Sequence, residues 1–147
     1  MALIAVPTDY RYVLAGVATI PLVGLFHSIT VGSARKKSKV ELPKLFASEA
    51  EAAADPLKHR FNCAQKSHMN FTENVPSVIV ATLISGLQYP RLAAGLVTVW
   101  SLFRVVYHLS YSTGNPSKRT RGGLATIAQL VLSLVAFVSA VNSAISY

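Results

Sequence analysis

Four apolar stretches punctuate the chain. Residues 12–32, 75–89 and 122–145 contain no charged side chain, and residues 92–111 contain only Arg104. A helix needs about 20 largely apolar residues to cross a hydrocarbon core of roughly 30 Å. All four stretches reach or approach that length. The pattern predicts an all-α, four-transmembrane-helix bundle forming a single membrane domain over residues 1–147.

The residues between the stretches carry helix punctuation. Asp55-Pro56 is a start signal: the carboxylate caps free N–H groups, and proline suits the first helical position. A helix from Pro56 to Gln88 would be roughly 50 Å long at 1.5 Å per residue, so its first turns must stand outside the core. Tyr89-Pro90 predicts a tight turn into the third span, and Thr113-Gly114-Asn115-Pro116 ends that span. Residues 49–54, acidic and alanine-rich, read as a helical or mobile surface segment. Pro21 and Gly24 fall inside the first span, where neighbouring helices can satisfy the backbone.

Composition agrees with a membrane protein: mean hydropathy is +0.43 and only 14% of residues are charged. The start of the chain lacks the basic region and short apolar core of a signal peptide. Cys63 is the only cysteine, which excludes an intrachain disulfide; a packed thiol is the simpler reading than a nucleophile. The net charge of +8 raises nucleic acid as a partner, but the placement of the charges argues against it. Arg35, Lys36, Lys37, Lys39, Lys44, Lys58 and Arg60 lie between the first two spans, and Lys118, Arg119 and Arg121 between the last two. Those two loops share one side, and the bias of Lys and Arg toward cytoplasmic loops predicts that side to be the cytosol. The same charges could set topology and nothing more.

The approach to the second span, FNCAQKSHMNFTEN (61–74), is unexpectedly polar. At 100° per residue, Asn62, Lys66, Asn70 and Glu73 fall on one face within about 80°. His68 lies far round the helix and serves a different surface or a neighbouring chain. Glu73 lies roughly 24 Å along the helix from Tyr89, inside the core, where a charge needs a partner or a wet cavity. Arg104 lies at matching depth on the third span and shares a face with Tyr107 and Tyr111, with His108 at its border. Two polar stripes therefore face each other beneath basic loops, a lining suited to a small anionic ligand. The alternative is an ion pair Glu73–Arg104 that only locks the bundle. No His/Cys cluster has metal spacing, no phosphate loop is present, and no Ser-His-Asp pattern is seen.

Four blocks, ARKKSKVELPKL (34–45), FNCAQKSHMNFTENVP (61–76), YPRLAAGL (89–96) and YSTGNPSKRTRG (111–122), resemble the MAPEG superfamily in order and spacing, most like its type-3 microsomal glutathione S-transferase branch. The resemblance implies a four-helix protomer, a homotrimer in the endoplasmic reticulum membrane, and glutathione sites between protomers that face the cytosol. It implies a glutathione transferase acting on lipophilic electrophiles in the membrane lipid, with glutathione as co-substrate, no metal, and lipid hydroperoxide as a further acceptor. A branch that binds lipid without glutathione chemistry is the alternative. The glutathione-binding set becomes Lys66, His68, Asn70, Glu73, Arg104, Tyr107, Tyr111, Lys118 and Arg119, with Arg35 and Lys36 as the catalytic basic pair at the thiolate. Two positions depart from leukotriene C4 synthase-like members: Asn74 stands where they have tyrosine, and Lys36 where they have arginine.

Overall fold

The computed structural model describes residues 6–145. The helices are α1 (Tyr10–Val17), α2 (Thr19–Ser38), α3 (Glu49–Ala54), α4 (Pro56–Gln88), α5 (Pro90–Tyr111) and α6 (Gly123–Ile145), with a 3-10 segment Pro116–Gly122 before the last. By length and composition, Tyr10–Ser38, Pro90–Tyr111 and Pro116–Ile145 can cross a membrane. The α4 helix does not qualify on the same basis, because half of it is the polar stretch read above.

The expected first span is two helices. Pro21 has no N–H to offer the carbonyl of Val17, so the α-helical ladder breaks near Ala18. Thr19 ties the break to α5: its hydroxyl donates to the Gly16 carbonyl at 2.7 Å and meets Ser101 Oγ on α5 at 2.7 Å. At the other end, α2 stops at Lys39, which adopts a left-handed conformation (φ 54°). That conformation costs an L-residue roughly 1–2 kcal/mol. The Arg35 guanidinium closes the turn that follows, donating to the carbonyls of Val40 (3.3 Å) and Lys44 (2.7 Å).

α3 is a formed helix with a capping box. Ser48 Oγ accepts from the Glu51 N–H, and the Glu51 carboxylate accepts from the Ser48 N–H. α4 starts where Asp55 Oδ1 accepts from the Leu57 N–H at 2.8 Å, with Pro56 at the first position. The helix runs unbroken through Pro76 to Gln88. Tyr89 then turns the chain directly into α5.

α4 packs against α2, α5 and α6, and α5 against α1 and α6. Trp100 is fully buried at the centre, its ring 5.5 Å from Phe71. Val13, Val78, Val97, Ala125 and Leu132 fill the space around it. Hydrogen bonds tie the helices: Ser85 donates to the Leu132 carbonyl at 3.2 Å, Gln88 to that of Ser139 at 3.0 Å, and Tyr10 to that of Leu83 at 3.1 Å. Small and hydroxylated residues at contacts are the usual means of joining helices in lipid, where apolar burial gives no drive. The outer faces are apolar: Leu22, Leu25 and Ile29 on α2, Leu102 and Leu109 on α5, and Leu134 and Phe137 on α6 are all exposed. In water such faces would be a liability; in a bilayer they meet acyl chains.

Candidate functional site

The polar face of α4 is assembled by a chain of hydrogen bonds. Arg104 on α5 is buried and donates through Nη2 to the Asn70 carbonyl (2.7 Å) and to Asn70 Oδ1 (2.9 Å). Its guanidinium also lies 5.1 Å from the Tyr107 ring centre and 5.4 Å from that of Trp100. Asn74 Nδ2 donates to the same Asn70 carbonyl at 2.6 Å. Asn74 Oδ1 accepts from Gln129 Nε2 of α6 at 2.7 Å, and Gln129 Oε1 accepts from the Trp100 indole at 3.2 Å. Three helices thereby hold Asn70 and Arg104 in one geometry.

This network corrects the expected pairing of Arg104 with Glu73. Among the described residues the ion pairs are Lys44–Glu51, Lys58–Glu51 and Arg91–Asp9. Glu73 sits one helical turn beyond Asn70 and is exposed, without a hydrogen bond or ion pair, although its charge acts on Arg104 through space. The side-chain and carbonyl oxygens of Asn70 reach the guanidinium first.

Two cavities open along this face. The deeper, of about 400 Å³, is lined by Asn70, Asn74 and Arg104 with Thr126, Gln129 and Ser133 of α6. The other, of about 550 Å³, is lined by Asn62, Cys63, Lys66 and Tyr111 with His59 and Pro116. Arg104 Nε is buried with no acceptor. A buried guanidinium N–H left unpaired is costly, and this residue also lines the polar cavity.

The remaining expected residues divide. Lys66 is exposed at the upper cavity, and Tyr111 is buried with its ring 5.7 Å from that of Tyr107, edge to face. Gly122 lets the 3-10 segment lie directly on α5, where a side chain would collide with Cβ and Cα of Tyr107 and the Phe103 carbonyl. Arg119 is exposed on this segment, and Lys118 is half-buried. Asn62, the first residue of the stripe, is structural: its amide exchanges two 2.9 Å hydrogen bonds with the backbone of Ala47, pinning the first loop to α4. Arg35 is committed to the Val40 and Lys44 carbonyls and lies 4.6 Å from the Phe61 ring centre. Lys36 is exposed and makes no hydrogen bond or ion pair among the described residues.

His68 is turned away from the stripe, toward the interior. Its ring centre is 5.9 Å from that of His27, which is 4.0 Å from His108 and 4.7 Å from Phe71. His108 Nδ1 meets Ser67 Oγ at 3.1 Å, and its Nε2 meets Thr30 Oγ1. The Thr30 hydroxyl proton already points to the carbonyls of Phe26 and His27. The consistent arrangement has Nε2–H donating to Thr30 and Nδ1 accepting from Ser67. Three histidines thus share one buried centre that sequence spacing did not reveal, because each lies on a different helix. No group of three or more His, Cys, Asp or Glu able to hold a metal occurs among the described residues. Cys63 is buried, 3.8 Å from His59 Nε2, and burial pushes its thiol up from the ordinary range. A thiol held protonated is a poor nucleophile.

The MAPEG family model matches residues 13–139. The chain belongs to the MAPEG family. That family is membrane-bound, and it contains glutathione transferases and related proteins of eicosanoid and glutathione metabolism, some of them non-catalytic. MAPEG proteins are typically trimeric. The match spans every element that builds the two cavities, from α1 to most of α6. Asn70, Asn74, Arg104 and Gln129 all lie within the matched residues, and Asn74 provides a polar link to α6.

Proposed function

We propose that this chain is a four-span, homotrimeric glutathione transferase of the endoplasmic reticulum membrane that conjugates glutathione to lipophilic electrophiles and reduces lipid hydroperoxides. The observation that carries the reading is the unpaired, buried Nε of Arg104 beside a polar cavity. A tripeptide with two carboxylates fits that need and those of exposed Lys66 and Glu73. Its carboxylates would be held by Lys66, Arg104 and Arg119, and its amide and amino groups by Asn70 and Glu73.

Glutathione supplies the nucleophilic thiol. A free thiol with pKa near 8.5 is only a few per cent thiolate at neutral pH. Lowering that value by two units requires about 2.7 kcal/mol of preferential stabilisation. Lys36 is the basic residue of the pair free to provide it, since Arg35 is occupied in the loop. An ammonium in a site of reduced dielectric is sufficient for that magnitude. The apolar outer faces of α5 and α6 give a lipophilic acceptor its route through the bilayer.

The trimer is supported by α4 itself. Lys66, Glu73 and Val80 recur every seven residues on its exposed side, with Ser77 between them. Polar side chains left uncovered on a spanning helix are satisfied when a neighbouring chain or a wet cavity covers them. A neighbouring chain on this side would place the candidate site at the boundary between protomers. The fourth span is supported by the apolar second half of α4 and its packing on three neighbours. The two basic loops support a cytosolic orientation of the site.

The test is glutathione binding by the detergent-purified chain, followed by turnover with a halonitrobenzene, leukotriene A4 and a fatty-acid hydroperoxide. Saturable binding with conjugation is the expected result. Binding without turnover of any acceptor would leave a lipid-presenting scaffold, and no binding at millimolar glutathione would overturn the proposal.

A further inference from the structure

A separate cavity of about 320 Å³ lies at the basic end of the bundle, roughly half a turn round α4 from the Lys66–Glu73 stripe. It is enclosed by the last turns of α2, the first turns of α4 and the residue that follows α5. Thr30, Ser33 and Lys37 recur on one face of α2, and Arg60 and Leu57 reach it from α4. Ser112 closes the back, its hydroxyl buried and without a hydrogen-bond partner.

Lys37 and Arg60 make no hydrogen bond or ion pair among the described residues, and no acidic side chain lines the cavity. Both cations are exposed at the mouth of the cavity, and the Arg60 stem passes close to Gly114. Thr30 at the floor is fixed by His108. Two cations without an acidic partner among the described residues thus line the same cavity as an orphaned hydroxyl. A topogenic charge needs only to lie outside the bilayer; it does not need to line a cavity.

We propose that this cavity is a binding site for a phosphate group, independent of glutathione. A phosphate group carries more charge than a carboxylate and offers three or more acceptor oxygens, spread so that a guanidinium, an ammonium and a hydroxyl can each take a separate one. Arginine engages phosphate in a fixed fork, and lysine adds a point charge. The position suits a lipid source: the cavity lies at the basic ends of α2, α4 and α5, at the level where headgroups meet the bundle in the proposed orientation. A soluble phosphate would meet the same donors.

The full chain is reconstituted in phosphatidylcholine nanodiscs with and without phosphatidic acid, and retained lipid is counted by native mass spectrometry after gentle release. The expected result is selective retention of phosphatidic acid by the wild type. Lys37→Ala with Arg60→Ala lowers that affinity about tenfold or more, the range expected on losing hydrogen bonds to a charged group. Ser112→Ala weakens it by a smaller factor without changing charge. Lys39→Asn with Arg121→Ala removes equal charge outside the cavity and leaves retention near wild type. Displacement of the lipid by inorganic phosphate would assign the site to a soluble phosphate. An equal loss in the Lys39/Arg121 control reduces the effect to surface charge and overturns the proposal, as does absence of selective retention. If the Lys37/Arg60 variant fails to fold, wild-type retention by Ser112→Ala overturns it instead. Glutathione binding, measured in parallel, is expected to be unaffected, so failure here and failure of the transferase reading are distinguishable.

Discussion

Gln129 of α6 donates to Asn74 of α4 across 2.7 Å, and Asn74 donates in turn to the carbonyl that Arg104 also holds. A residue in the most apolar helix therefore braces the polar face of another. Gln129→Leu would orphan the Trp100 N–H and release the Asn74 amide. Leaving one buried group unsatisfied costs about 1–3 kcal/mol. The expected outcome is a lower melting temperature together with a raised Kd for glutathione and a nearly unchanged kcat. A stability loss with unaltered glutathione affinity would confine Gln129 to a structural role.

Glu73 is spared from holding Arg104, which alters the consequence of its removal. The change removes no hydrogen bond or ion pair within the protomer's described residues. Glu73→Gln should keep its melting temperature and lose most of its glutathione affinity, because the amide preserves shape and surrenders charge. Calorimetric titration alongside thermal unfolding decides this. A destabilised protein with wild-type affinity would sink the ligand role.

The basic pair after α2 should separate cleanly. Arg35→Ala removes two hydrogen bonds from a charged donor, each worth about 1.5–3 kcal/mol, so it should loosen the first loop and lower thermal stability. Lys36→Ala should leave stability alone and raise the thiol pKa of bound glutathione by one to two units, about 1.4–2.7 kcal/mol. Thiolate absorbance titrated against pH reads the second effect. An unchanged curve in Lys36→Ala would transfer the role to another cation.

Cys63 should be silent. Its thiol is buried and pushed toward the protonated form, so the folded protein should react with a maleimide far more slowly than after denaturation. Cys63→Ala should retain turnover. Rapid labelling of the native protein would show that the segment around His59 opens.

Helix ends were legible from residues a few positions apart, because capping is local chemistry. Asp55 and Pro56 begin α4, Pro90 begins α5, and Pro116 begins the segment leading to α6. Pro21 is tolerable inside one span by local rules alone; the break it helps create at Ala18 depends on which carbonyl loses its partner. The polar stripe was legible too, since rotation of 100° per residue relates Lys66, Asn70 and Glu73 without knowledge of any neighbour. Family membership also lay in the order and spacing of its blocks.

Partnership was not legible. Rise per residue gives depth along an axis, and it put Glu73 and Arg104 level, but one turn of helix separates Glu73 from Asn70. Which of them meets the guanidinium depends on how α4 and α5 rotate and cross, and that is set by Trp100, Phe71 and the small residues packed around them. The same rotations turned His68 inward to His27 and His108, drew Arg35 into the first loop, and joined Gln129 to Asn74. Periodicity defines a face on each helix from its own residues; only packing among helices decides which atoms on those faces come within hydrogen-bonding distance.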